Sequence, residues 1–165
     1  MSTCANYRNS GHGNLEGNIH NAVGRKNSYT IEKHSWDRIL RHTISVYPQE
    51  ACGILLCPRD MPYHIIEAHP TKNVTLGDPA NRYFVDPVEF IEADEHAEQK
   101  GFDICGFYHS HPDHTPIPSD HDRKLAWESY LYLIISVIDG SFNEAGTWIF
   151  EKDRRRFKKS HFSIT

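Results

Sequence analysis

"FYHSHPDHTPIPSDHD", residues 107–122, sets four histidines, three aspartates and three prolines into sixteen residues. The run "FDICGFYHS" (102–110) reads as a β-strand that leads straight into the histidines. Pro112, Pro116 and Pro118 then force a loop, and Ser119 opens a helix, "SDHDRKLAWESY". Residues two apart in a strand leave the same face, so His109 and His111 present two imidazoles side by side at the strand's end. The loop brings Asp122 back beside them on the first helical turn. Two histidines and one carboxylate are the three-protein-ligand set of a catalytic zinc, with a fourth position left for water.

Each part of this pattern has a plainer reading when taken alone. Ser119 and Asp122 stand at N-cap and N3 spacing, a capping box with Asp in place of Glu or Gln. An isolated H-x-H is common among exposed strand histidines. The combination of H-x-H-P, six residues and S-x-x-D across strand, loop and helix is far more specific. A Ser119 hydroxyl that caps the helix is also compatible with one that faces the metal. A hydrolytic site needs a general base, and Glu50, just before the apolar run "ACGILLC" (51–57), is the candidate. On its residue type alone it does not outrank Glu67 or Glu92.

The rest of the chain bounds the setting. Its 165 residues suit one domain with a real core. A net charge of −4 and a pI near 6.3 give no electrostatic support for general nucleic-acid binding. The basic run "KDRRRFKK" (152–159) reads as a solvated edge strand or hairpin, able to grip an acidic partner. No apolar stretch is long enough to span a bilayer, and the first residues lack the apolar segment of a secretory signal. Cys4, Cys52, Cys57 and Cys105 form no C-x-x-C pair, and the last three sit in apolar surroundings. Buried, reduced thiols and a cytoplasmic location are expected.

Residues 1–27, rich in Asn, Gly and Ser, read as a flexible tail, and 28–165 as one domain. Helical spacing from Trp36 to Tyr47 predicts a helix N-capped by Ser35 and ended by Pro48. "ACGILLC", "YHIIEAH" (63–69) and "RYFV" (82–85) are strand candidates, the first two an antiparallel pair. Asp86-Pro87 opens a second helix that Gly101 closes. "LYLIISVI" (131–138) is the most apolar run and hence the central strand, and a terminal hairpin follows. The expected fold is α/β, a mixed β-sheet sandwiched by helices.

"PQEACGILL" (48–56) followed by "GFYHSHPDHTPIPSDHD" (106–122) resembles the JAMM (MPN+) metalloprotease family over about residues 30–150. The resemblance implies the MPN/JAMM fold, of cytidine-deaminase-like architecture, and one Zn2+ per chain. It matches His109, His111 and Asp122 to the zinc ligands, Glu50 to the base that passes a proton to the leaving amine, and Ser119 to the oxyanion-stabilising residue. The compact chain and "YFVDPVEF" (83–90) are similar to small bacterial members that process sulfur-carrier proteins. The implied activity is hydrolysis of a peptide or isopeptide bond after Gly-Gly of a ubiquitin-like or sulfur-carrier protein. Alternatives are a non-catalytic MPN scaffold, against which the complete ligand set speaks, and a RadC-like or phage-tail-type relative. Deaminase chemistry wants H-x-E together with P-C-x-x-C, and the chain has no P-C-x-x-C. His114 and His121 flank the motif, either solvated or touching substrate, while His64, His69 and His96 are expected at the surface.

Overall fold

The computed structural model describes residues 28–151, 153 and 155–165. Eight strands form one mixed sheet: β1 (Ser28–Ile31), β2 (Cys52–Pro58), β3 (His64–Ile65), β4 (Glu67–Thr71), β5 (Phe102–Pro112), β6 (Leu131–Ile138), β7 (Ser141–Glu151) and β8 (Arg156–Ile164). Their order across the sheet is β3-β1-β8-β7-β6-β5-β2-β4. Three helices accompany them: α1 (Lys33–Ser45), α2 (Pro87–Lys100) and α3 (Asp120–Leu125). The expected tail (1–27), with Cys4, lies outside the described residues.

The apolar run at 131–138 is the central strand because both its faces are covered. Leu131, Leu133, Ile135 and Val137 join Trp36 and Ile39 of α1 in one core cluster. Tyr132, with Ile54, Leu56 and Phe107, packs against Ala93 and Ala97 of α2 on the other side. A helix on each face of a mixed sheet is the architecture the sequence pattern implies. β6 runs parallel to β5 and antiparallel to β7, which locks β5 in the interior between β6 and β2. Gly53 stands opposite Tyr108, where a Cβ would lie 2.3 Å from the tyrosine ring. The missing side chain lets Tyr108 cross β2 and bond His42 Nδ1 at 2.9 Å.

Several element boundaries differ from expectation for identifiable reasons. α1 starts at Lys33 with Glu32 in the N-cap position, not Ser35. Ser35 is buried in the first turn, and its hydroxyl donates instead to the Ile66 carbonyl at 2.7 Å. The segment 63–69 serves two partners: His64–Ile65 pairs parallel with β1, and Glu67–Thr71 antiparallel with β2. "RYFV" makes no strand beyond one bridge, Asn73 to Val85. The Asn73 amide takes over the bonding there. Its Nδ2 donates to the carbonyls of Glu50 and Arg82, and its Oδ1 accepts from the N–H groups of Thr75 and Phe84.

α2 follows its expected limits, with Asp86 accepting from the Val88 N–H and Gly101 closing it in the left-handed region at φ 72°. α3 is shorter than "SDHDRKLAWESY", because Ala126 is already extended. Trp127 donates its N–H to the Tyr132 hydroxyl at 2.7 Å. Its ring meets Phe90, Phe107 and Tyr130 edge-on, and this aromatic packing ends the helix. The basic hairpin strand β8 is paired on both sides, by β7 and β1, and is not an edge. Cys52, Cys57 and Cys105 are free thiols, the first two buried. Among the described residues no helix is long and apolar enough to cross a membrane.

Candidate metal centre

The end of β5 is held by partners on both sides. His109 lies opposite Cys52 and Ile134, and His111 opposite Ser136. With one residue between them on a strand, the two rings turn to the same face. His109 is fully buried and His111 nearly so. The chain then leaves β5, and the Thr115 carbonyl meets His111 Nδ1 at 2.8 Å. A carbonyl can only accept, so Nδ1 carries the proton and Nε2 presents a lone pair, the usual way a ligating imidazole is oriented. His109 is fixed by packing, its ring stacked on Tyr83 at 4.4 Å between centroids. Its Nδ1 is buried with no hydrogen-bond partner among the described residues.

Asp122 comes from the first turn of α3. The capping box is complete: Ser119 Oγ accepts from the Asp122 N–H at 3.1 Å, and Asp122 Oδ2 accepts from the Ser119 N–H at 2.7 Å. The Ser119 hydroxyl also donates to Oδ2 at 2.7 Å. The cap therefore sets the rotamer of the carboxylate that faces the histidines. The plain reading of Ser119 and Asp122 and the metal reading describe one arrangement.

His109 Nε2 lies 3.1 Å from His111 Nε2 and 3.3 Å from Asp122 Oδ1, and His111 Nε2 lies 3.6 Å from Asp122 Oδ2. Donors on a tetrahedral zinc at about 2.0–2.2 Å stand about 3.3–3.6 Å from one another. The two separations to Asp122, one to each of its oxygens, fall at that edge length and the one between the imidazoles just short of it, and nitrogen, nitrogen and carboxylate oxygen are the donor types zinc takes. These residues fit a zinc ion. The electrostatics agree. Burial alone would raise the Asp122 carboxyl, but the two imidazoles and Ser119 outweigh it and hold the group far below the usual carboxylate range. Burial lowers His109, which favours the neutral, ligating form.

Glu50 sits beside this trio through its backbone. Ala51 donates its N–H to Ser110 Oγ at 2.9 Å, and the Ser110 N–H donates to the Ala51 carbonyl at 3.0 Å. The residue after Glu50 is thus clamped to the residue between the two histidines. On its own peptide, Glu50 N–H donates to the Pro79 carbonyl at 2.7 Å, and Asn73 takes its carbonyl at 3.0 Å. The side chain is buried, not an exposed turn acid. That burial pushes its carboxyl up to about 7; His111 opposes the rise, and Asp122 and Asp78 add to it. The rival carboxylates are occupied or outside: Glu67 is bonded to His69 and His96, and Glu92 is exposed on α2.

Of the flanking histidines, His114 is exposed, and His121 is half-buried and close enough to depress His109. His64, His69 and His96 are partly exposed, in keeping with the expected surface positions, but none is free. All three are half-buried and paired, His64 with Thr30 and Glu32, the other two with Glu67. Asn73, whose amide holds the Glu50 carbonyl, is the position that motif reasoning misses. Its signal was available only as an amide in a turn-rich stretch, with no hint that its partner would be Glu50.

Comparison with known proteins agrees with this geometry. Residues 32–158 match the family of prokaryotic homologs of the JAB domain. Haloferax volcanii desampylase is 43% identical over 90 residues, which cover 54% of this chain and 63% of that protein. The probable TtuB-protein conjugate cleaving protease of Thermus thermophilus is 30% identical over 93 residues, 56% of this chain and 60% of that protein. The chain thus spans just under two thirds of these curated relatives. A solution structure from Desulfitobacterium hafniense superposes with a TM-score of 0.71 at 28% identity, covering 83% of this chain and 92% of that one. A JAB1/MPN domain protein of Archaeoglobus fulgidus, 16% identical with a TM-score of 0.55 over 84% of this chain and 98% of its own, shares the fold. The chain belongs to the prokaryotic JAB-domain family and has the JAB/MPN fold.

Proposed function

We propose that this chain is a zinc-dependent peptidase that hydrolyses a peptide or isopeptide bond after Gly-Gly of a ubiquitin-like or sulfur-carrier protein. The observation that carries the reading is the convergence of His109, His111 and Asp122, all buried, with one donor atom from each within 4.8 Å of the others. The names of the relatives support the substrate class, since one is a desampylase and another a conjugate-cleaving protease.

His109, His111 and Asp122 would hold one zinc ion at this centre. The chemistry zinc supplies in such a site is polarisation of a carbonyl and acidification of water. Glu50 takes the proton from the attacking water and delivers it to the departing amine, a task suited to a carboxyl tuned towards neutrality. Ser119 holds Asp122 through its cap. Ser119 is exposed, and its hydroxyl, which donates to Asp122 Oδ2, would turn from it to donate to the developing oxyanion. The sheet ends at β4, whose Thr71 lies in the same row as Cys52 and His109. Its outer edge is open to an extended tail added as a further strand, and residues without side chains suit a narrow approach to the metal.

The test uses a carrier protein bearing one residue beyond Gly-Gly, incubated with zinc-loaded enzyme and followed by mass spectrometry. Loss of that residue supports the reading. Zinc bound stoichiometrically without any hydrolysis of carrier or conjugate would favour a scaffold role instead.

A further inference from the structure

A second set of ligand-type side chains lies on the α2 face of the sheet, and the proposed hydrolysis uses none of it. β4 carries Glu67 and His69 two residues apart, so both leave the same face of the strand. His96 reaches them from α2. The Nε2 atoms of His69 and His96 stand 3.0 and 2.8 Å from the same carboxylate oxygen, Glu67 Oε2. The two rings are 4.8 Å apart. One donor atom from each residue lies within 4.8 Å of the others, the same convergence as in the buried centre. A cavity of about 320 Å³ opens beside the two imidazoles, lined by His69 and His96 together with Thr71, Glu89 and Glu92. Glu92 is one turn before His96 and shares its helix face.

Two imidazole nitrogens aimed at one carboxylate oxygen share either protons or a cation. The cavity distinguishes this trio from a closed ion pair, because it leaves room for water or for Glu92 to complete a coordination shell. We propose that Glu67, His69 and His96 form a second divalent-metal site of the zinc class. Two nitrogens and one carboxylate oxygen suit zinc, whereas magnesium and calcium prefer all-oxygen shells. The donors need open by only a few tenths of an ångström to reach the spacing of about 3.3 Å around zinc. All three residues are half-buried, so the site is weaker than the buried one. Its structural effect is to fasten the sheet's edge strand, held on one side by β2 alone, to α2.

The site does not depend on the proposed hydrolysis, and zinc titration of the full chain near neutral pH tests it. Wild type should take up two equivalents, Asp122→Asn one, His96→Ala one, and the double variant none. Added zinc should raise the melting temperature of Asp122→Asn but not that of the double variant. Glu67→Gln keeps an acceptor for the imidazoles and removes the charge, so it should fold normally and also lose one equivalent. If His96→Ala and Glu67→Gln bind as much zinc as wild type, or if Asp122→Asn fills only at millimolar zinc, the second site is overturned. Should Asp122→Asn keep two equivalents while His96→Ala keeps one, this site stands and the buried centre falls.

Discussion

Glu50 is held in its buried position by backbone bonds to Pro79, Asn73 and, through Ala51, Ser110, and among the described residues by no ion pair of its own. Glu50→Gln keeps the size and removes the base. Zinc should stay, measured by metal analysis, while hydrolysis falls about a hundredfold or more. The same group gives a pH signature in the metal-free protein. Its folded pKa of about 7 lies above the ordinary 4.5, so the folded state keeps a proton that the unfolded state gives up. Stability from this group is full below about 4.5 and is lost as pH rises to about 7. Glu50→Gln should therefore stabilise the metal-free protein relative to wild type at pH above this window, by up to about 3 kcal/mol, and not below it. Chemical denaturation across pH reads the difference, and a constant offset would contradict the burial argument. Among the ligands, His109→Ala should lose most of the zinc of the buried centre, since two protein donors hold the ion poorly.

At the scale of elements, the loop and short helix after β5 decide whether the ligands meet. Ser119→Ala removes a cap and should cost about 1 kcal/mol. It should also slow turnover if the hydroxyl serves the oxyanion. A lower melting point with an unchanged rate would leave Ser119 a cap alone. Asn73→Ala strips four hydrogen bonds from the segment that seats Glu50. It should cost about 1–3 kcal/mol and lower the rate more than it lowers zinc content, and stopped assays beside metal analysis separate the two. The convergence of His109, His111 and Asp122 was legible in the sequence because a strand's period of two and an N-cap's spacing of three are local rules. So was the buried strand at 131–138, from its unbroken apolar run. Asn73, the early end of α3 and the His69–His96 pair on Glu67 were not, since each depends on a partner far along the chain. Trp127 stops α3 by packing on Phe90 and Phe107, and no local propensity encodes that contact.

For the whole molecule, one sheet with a helix on each face places His109 and His111 at the end of a strand that is paired on both sides, and the short helix α3 brings Asp122 to them. The sheet is paired on both sides where the three residues converge and ends only at its edges, β3 and β4. On the proposed reading the site takes an extended tail, and affinity comes from a folded body docked outside it. The protein should therefore cleave a globular carrier with an extension beyond Gly-Gly and ignore the isolated tail peptide. Equal cleavage of both would make it a general peptidase. The measurement that reaches the central claim most directly combines activity with metal content on one carrier substrate, for wild type, chelator-stripped wild type and zinc-loaded Glu50→Gln. Release of the extension by wild type alone, restored to the stripped protein by zinc and absent from Glu50→Gln despite a filled site, is the predicted result. Undiminished release by either the stripped protein or Glu50→Gln would contradict it.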